Sequence, residues 1–366
     1  MRRSNGAAAR AGTVLICAFA ATLSLRLTPA DAADADIMLY KGVDREQKLI
    51  DGAKQEGEIV IYSTLIVNQA LRPIVDAFQK TYPFLKTSYW RATTEDIVQK
   101  SLAETRANNM VGDVLEGTGL GELAATANLG QPFYSPELDA YPERYRDPHG
   151  VWAPTRLSYY SIAYNTKLVP DDSAPKSYAD LLDPRWTGKM AWRVGTGTGV
   201  ELFLTSLRQA WGEDKAMDYF KKLAQQKIVN FASGSARTLV DRVIAGDYSI
   251  AINIYAHHAL ISEEKGAPVK PKLLDPTPSS TGTMVIPHGV HHPYAALLFA
   301  DFLLSKQGQG MMGGTEYFPV RPDVPAAQQL RAVVPSVAGV PENFIKPDDM
   351  QNMEASSEKI YDDLFR

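Results

Sequence analysis

The sequence predicts an α/β chain of two lobes joined by two crossover strands that form a hinge. Three observations point there. The 366 residues exceed what one core usually serves. Short apolar runs alternate with stretches of helical periodicity, the pattern of β-α-β units on a largely parallel sheet. Two strand-like segments, Leu157 to Asn165 and Thr281 to Pro287, lie where one such unit must lead into the other and back.

The chain starts with a leader. Arg2, Arg3 and Arg10 form a basic opening, Thr13 to Leu25 is apolar apart from small polar residues, and Ala30-Asp31-Ala32 offers a small-x-small cleavage site, so residues 1–32 read as a signal peptide. Arg26 closes the apolar run short of a comfortable bilayer span. Cys17 is the only cysteine and lies in this leader, which excludes disulfides, thiolate catalysis and Cys-based metal sites from the processed chain. A formal net charge of -4 gives no electrostatic case for nucleic acid or an anionic membrane, so the expected partner is a small molecule or a protein. With 45% hydrophobic and 22% charged residues the chain is of ordinary globular composition.

Residues 33–160 are expected to build the first part of lobe 1. Glu58 to Tyr62 reads as a buried strand, and Leu71, Ile74, Val75, Phe78 and Tyr82 recur at helical spacing until Pro83. Leu85 to Trp90 returns to strand. Thr93 and Asp96 have capping-box spacing ahead of a helix carrying Ile97, Val98 and Leu102, and Asp113 to Glu116 reads as a third strand. Residues 161–278 form lobe 2: a strand at Lys189 to Arg193, a helical stripe of Val200, Phe203, Leu204, Leu207 and Trp211, and helices over Asp214 to Gln226 and Ser235 to Ala245, the last capped by Gly246. Ser249 to Ile254 is strand. Residues 279–366 return to lobe 1, with a helix opening at Pro293 and C-terminal helices packing on that lobe.

Ligands in open α/β sheets sit beyond the carboxyl ends of the strands, which nominates the loops there. Gly195-Thr196-Gly197-Thr198-Gly199 is the strongest feature, since converging N–H groups, threonine hydroxyls and a helix start favour a phosphate, phosphonate, carboxylate or sulfate. The bland reading is a capped tight turn. The loop lacks the P-loop lysine and the dinucleotide spacing, and Arg193 just before it could add a fixed charge. Gly117-Thr118-Gly119 holds the analogous place in lobe 1. Tyr62, Ser63 and Thr64 end the first strand, Arg91 and Thr93 follow the second, and Tyr255 ends the strand after Gly246. Each also has a structural reading: a surface ion pair for Arg91, a buried satisfied hydroxyl for Tyr255. His257-His258 and His288, His291 and His292 invite a metal reading, but adjacent histidines splay apart and no acidic partner has ligand spacing. No metal and no cofactor is assigned. No nucleophile elbow or zincin motif supports catalysis, and a hydrolase using an unmarked carboxylate pair stays as a remote alternative.

At this point the chain resembles the extracellular solute-binding proteins of the ferric-ion type, which share the type 2 periplasmic-binding-protein fold. The matching stretches are Glu56 to Tyr62, Tyr160 to Leu168, Ser177 to Leu182, Pro184 to Lys189, Ala245 to Tyr248 and Phe302 to Gly308. The resemblance implies a monomeric periplasmic solute trap, not an enzyme, that delivers its ligand to the permease and ATPase of an ABC importer. A receptor-coupled sensor would share the design. Ferric-binding members use adjacent tyrosines in the second lobe with a histidine and a glutamate from the first. Here the pair reads Tyr255-Ala256, no histidine follows Tyr62, and Glu116 lies two residues from the expected place near Thr118. The expectation is therefore an anionic or organic solute, with ferric iron or a ferric chelate as the alternative.

Overall fold

A computed structural model describes residues 37–194, 199–232 and 235–366. The leader and Cys17, as well as Thr196, Gly197 and Thr198, lie outside these residues.

The first lobe is laid down in the order that its apolar periodicity dictates. Helix α1 (Arg45–Glu56) precedes strand β1 (Glu58–Ser63), and a π turn at Val67–Leu71 runs directly into α2 (Arg72–Thr81). Strand β2 (Lys86–Arg91), helix α3 (Thr94–Arg106), strand β3 (Val114–Thr118) and the short α4 (Leu120–Thr126) follow. Strands β2 and β3 both pair parallel with β1. Thr93 caps α3, its hydroxyl accepting from the Asp96 N–H at 3.2 Å, as the capping-box spacing required.

Strand β4 (Trp152–Asn165) then carries the chain across. Lobe 2 holds β5 (Met190–Arg193), α5 (Val200–Trp211), α6 (Glu213–Ala224), β6 (Val229–Phe231), α7 (Ala236–Ala245), β7 (Ile250–Tyr255), α8 (Ala256–Glu264) and β8 (Val269–Lys272). Gly246 stops α7 at φ 91°, a left-handed cap that costs other residues strain. Strand β9 (Thr277–Val285) returns, followed by α9 (Pro293–Leu304), α10 (Lys306–Gly314), α11 (Pro335–Ala338), β10 (Glu342–Phe344) and α12 (Pro347–Leu364).

Eight of the ten strands form one path in the order β2-β1-β3-β9-β4-β7-β5-β6, with β10 beside β9 and β8 beside β4 off it. The two crossover strands thus lie next to each other and antiparallel, Trp152 opposite Val285 and Tyr159 opposite Ser279. Beyond Tyr159, β4 leaves β9 and pairs with β7 and β8. One strand therefore serves both lobes, and the hinge is sheet rather than loop.

Each lobe buries its own aromatic core. In the first, Phe78 meets Phe299 edge-on with ring centres 5.1 Å apart, packed with Ile61, Leu71 and Leu303. In the second, Trp192, Phe203, Phe220 and Ile252 pack together. A fully buried side chain of this size contributes about 1.5–3 kcal/mol, so each lobe has its own source of cohesion.

The expectation that the C-terminal helices pack on lobe 1 holds for α9, which lies along α1, and fails for α12. Helix α12 lies mainly against α5 of lobe 2 and also touches α4 of lobe 1. The Ser357 hydroxyl sits 2.9 Å from that of Thr205, and Ile360 and Tyr361 join the second core. The error came from counting the helix with the lobe that the preceding chain had rejoined, when its apolar side completes the other.

Candidate functional site

The carboxyl ends of the strands from both lobes open onto one cavity of about 520 Å³. From lobe 1 it receives Thr64, Arg91, Thr93, Thr94, Glu95 and Thr118, and from lobe 2 Arg193, Ser235, Arg237, Tyr255, His257 and His258. The crossover strand β4 adds Arg156 and Ser158, and the returning chain adds Tyr317.

The lobe 1 wall is organised by a buried ion pair. Glu116, on β3, is 1% exposed and accepts from the Ser63 hydroxyl at 2.6 Å and the Thr155 hydroxyl at 3.0 Å, while Arg156 Nη1 bonds its Oε1. Arg156 Nη2 donates to the hydroxyl oxygens of Thr64 and Thr118, both at 3.1 Å, and the guanidinium lies 5.3 Å from the centre of the Tyr317 ring. Burial pushes the Arg156 guanidinium down from its ordinary value. A guanidinium starts so high that it keeps its charge in contact with a carboxylate. The Thr94 hydroxyl donates to the Thr118 carbonyl at 2.8 Å, locking the start of α3 to the end of β3. Arg91 is exposed and has no hydrogen-bond or ion-pair partner among the described residues.

The lobe 2 wall is less complete. Arg237 donates through Nε and Nη2 to Asp241 Oδ1 at 3.1 and 2.8 Å, and through Nη1 to the Ser262 hydroxyl at 2.8 Å and the His258 carbonyl at 3.3 Å. His257 is 2% exposed, and neither of its ring nitrogens has a partner among the described residues; the Nδ1 of His258 also has none there. Burial, then the neighbouring His258, Arg156 and Arg237, holds the His257 ring well below the ordinary histidine range. Burial and Arg237 push His258 down to about 3. Both rings are therefore neutral near pH 7. Tyr255 stacks at a tilt on Tyr160 with ring centres 5.1 Å apart.

Of the residues that the sequence nominated, Thr64, Arg91, Thr93, Thr118, Arg193 and Tyr255 meet at this cavity. Three others do not line it. The Tyr62 hydroxyl donates to Glu104 Oε1 at 2.7 Å and its ring packs edge-on to Trp90, because the alternation of β1 turns it into the core behind the wall. Ser63 spends its hydroxyl on Glu116. Gly117 is a spacer: a Cβ there would come within 2.8 Å of Thr64 Cγ2 and 3.1 Å of the Thr94 hydroxyl. Thr196, Gly197 and Thr198 lie outside the described residues.

Arg156, Ser158, Arg237, His257, His258 and Tyr317 escaped the sequence reading as binding residues. Arg156 left a signal, a single cation at the head of the aromatic run Leu157 to Tyr160. His292 lies elsewhere, its Nδ1 2.9 Å from Oδ2 of the buried Asp113. Among the described residues no group of three or more His, Cys, Asp or Glu side chains could hold a metal ion.

Residues 113–341 match the family described as bacterial extracellular solute-binding protein. The chain belongs to that family. An uncharacterized protein of Haemophilus influenzae is 30% identical over 275 residues, 70% of this chain and 75% of the relative. The iron uptake protein A1 of a Synechocystis strain is 26% identical, over 65% of this chain and 72% of its own. A periplasmic binding protein of Actinobacillus pleuropneumoniae, solved with fructose-6-phosphate bound, superposes with a TM-score of 0.70 at 23% identity, covering 84% of this chain and 98% of that one. The fold is the two-lobed, type 2 periplasmic-binding arrangement, and the chain is a bacterial extracellular solute-binding protein. Among the described residues no helix is long and apolar enough to cross a membrane.

Proposed function

We propose that this solute-binding protein captures a small solute carrying an anionic group in the interlobe cavity and presents it to the permease and ATPase of its importer. One observation carries the reading: Arg91, Arg156, Arg193 and Arg237 line the cavity against a single carboxylate, Glu95. Guanidiniums offer forked donors to carboxylate or phosphate oxygens, and threonine and serine hydroxyls fill the remaining directions. The role is capture and release without conversion. The chain reaches the periplasm after removal of its leader near Ala32.

Native mass spectrometry of freshly purified protein, followed by a thermal-shift screen of phosphonates, phosphates, carboxylates and ferric chelates, tests this. A ligand at 100 times its Kd adds about 2.7 kcal/mol of stability. An anion recovered chemically unchanged and bound at one per chain supports the reading. Turnover of the hit would favour the hydrolase alternative. The name of the Synechocystis relative and the two phenols at the cavity, Tyr255 and Tyr317, favour a second reading, ferric iron held through a chelate. A visible absorption band that bleaches with chelator and is lost in Tyr255→Phe would decide for iron.

A further inference from the structure

We propose that His257 and His258 select the ligand by binding its uncharged part, so that the protein takes a small anion bearing hydroxyl or amino groups in preference to a bare one; this rests on the anionic reading of the same cavity.

Helix α8 begins directly after β7, which places the two rings at the cavity between the lobes. His257 packs within 5.5 Å of the Tyr317 ring centre and 5.7 Å of that of Phe318, both on the chain returning from lobe 2, and 4.4 Å from His258. Three ring nitrogens here are buried without a partner among the described residues, in a pair that lines the cavity. A buried polar atom is seldom left unmade in a folded protein, and one at a ligand cavity is completed by the ligand or by water.

The neighbours define what must complete them. Arg156 is committed to Glu116, Thr64 and Thr118, and Arg237 to Asp241, Ser262 and the His258 carbonyl. Both guanidiniums stand close enough to oppose an imidazolium at His257, so each ring stays neutral with one N–H and one lone pair. Neither the Tyr255 nor the Tyr317 hydroxyl meets the unpartnered nitrogens. A lone pair accepts only from a donor. Carboxylate and fully ionised phosphate oxygens are acceptors and can meet only the ring N–H groups, so a ligand that completes the lone pairs as well brings O–H or N–H groups on its other part.

The test uses the processed protein and two pairs of probes matched in charge: glycerol 3-phosphate against n-propyl phosphate, and threonate against butyrate, titrated by calorimetry at pH 7.5. The hydroxylated member of at least one pair should bind about tenfold or more tighter, the worth of one or more hydrogen bonds. His257→Phe and His258→Phe should each remove most of that preference by weakening the hydroxylated probe alone. Arg91→Ala should weaken both members of a pair equally. His257→Gln, which keeps a donor and an acceptor, should retain part of the preference. Should the Phe variants fail to fold, ring nitrogen chemical shifts of the unaltered protein give the same answer, since they should move with glycerol 3-phosphate and stay with n-propyl phosphate. Equal binding within each pair, or a preference that survives both Phe substitutions, overturns the role of the histidines and leaves the anion reading standing. No binding of any of the four probes at millimolar concentration overturns both.

Discussion

The two walls of the cavity differ in how far each is finished. On the lobe 1 side the polar groups around Glu116 have partners within the protein, from the Glu116–Arg156 pair through the hydroxyls of Thr64 and Thr118 to the Thr94 bond on the Thr118 carbonyl, and Arg91 stands outside this network. On the lobe 2 side Arg237 is anchored by Asp241, while the rings of His257 and His258 leave nitrogens unused. The first wall is a preorganised seat for charge and the second is a surface still to be completed. On the proposed reading the first wall seats the anionic group and the second discriminates among the ligands that carry one.

The sharpest way to break the comparison is Arg156→Met, which strands Glu116 as a buried charge. Urea unfolding should show a loss of about 3–5 kcal/mol, with ligand binding lost as well. Combining it with Glu116→Gln should recover part of the stability and none of the binding. A similar loss from Arg237→Met would show that the two walls are equally committed.

Arg91→Ala is the next test. With no partner among the described residues to abandon, its substitution should shift unfolding by less than about 0.5 kcal/mol while lowering affinity for an anionic ligand by about tenfold. A change in melting temperature without a change in Kd would place Arg91 in the scaffold.

The histidines give the comparison a pH signature. The folded-state values of His257 and His258 lie below the ordinary 6.5, so the unfolded chain takes up more protons as pH falls. Their contribution to stability is full above 6.5 and is lost progressively below it, down toward about 3 for His258. His292, on lobe 1, has the opposite sign, since its bond to Asp113 raises it. That contribution is full below 6.5 and is lost as pH rises through the raised folded value. Urea midpoints from pH 5 to 8 should therefore show that His257→Phe flattens the acid side and His292→Phe the alkaline side. Thr93→Ala should lower stability by about 1 kcal/mol in the same urea measurement, for the lost cap.

Hydrophobic period and caps made most of the fold legible. The runs at Glu58, Leu85 and Lys189 became strands with ends displaced by a residue or two, and the caps fell as expected, Thr93 through its hydroxyl and Gly246 through its left-handed backbone. The short strands at Val229–Phe231, Val269–Lys272 and Glu342–Phe344 were not visible, because three or four residues carry too little alternation to mark a period. The cavity was legible where it uses strand ends, as at Thr64, Arg91, Thr118 and Tyr255. It was hidden where tertiary contacts decide: Arg156 lies mid-strand and faces the cavity only because β4 is shared by both lobes. His257 and His258 are visible in the sequence as a possible metal pair, yet their neutral state depends first on burial, which only the tertiary packing creates, and then on the arginines it brings near.

The end of the chain is tied to the cavity floor. The Trp192 indole N–H donates to Asn230 Oδ1 at 2.7 Å, Asn230 Nδ2 donates to the Phe365 carbonyl at 2.6 Å, and the Phe365 ring meets Trp192 edge-on with centres 4.7 Å apart. Trp192 stands immediately before Arg193, a cavity residue. Phe365 is thus linked through a single indole to the residue next to Arg193, and a ligand that engages Arg193 is expected to change the Trp192 fluorescence. A tag fused at Arg366 would load the same connection, so a labelled protein and an untagged one need not report the same affinity.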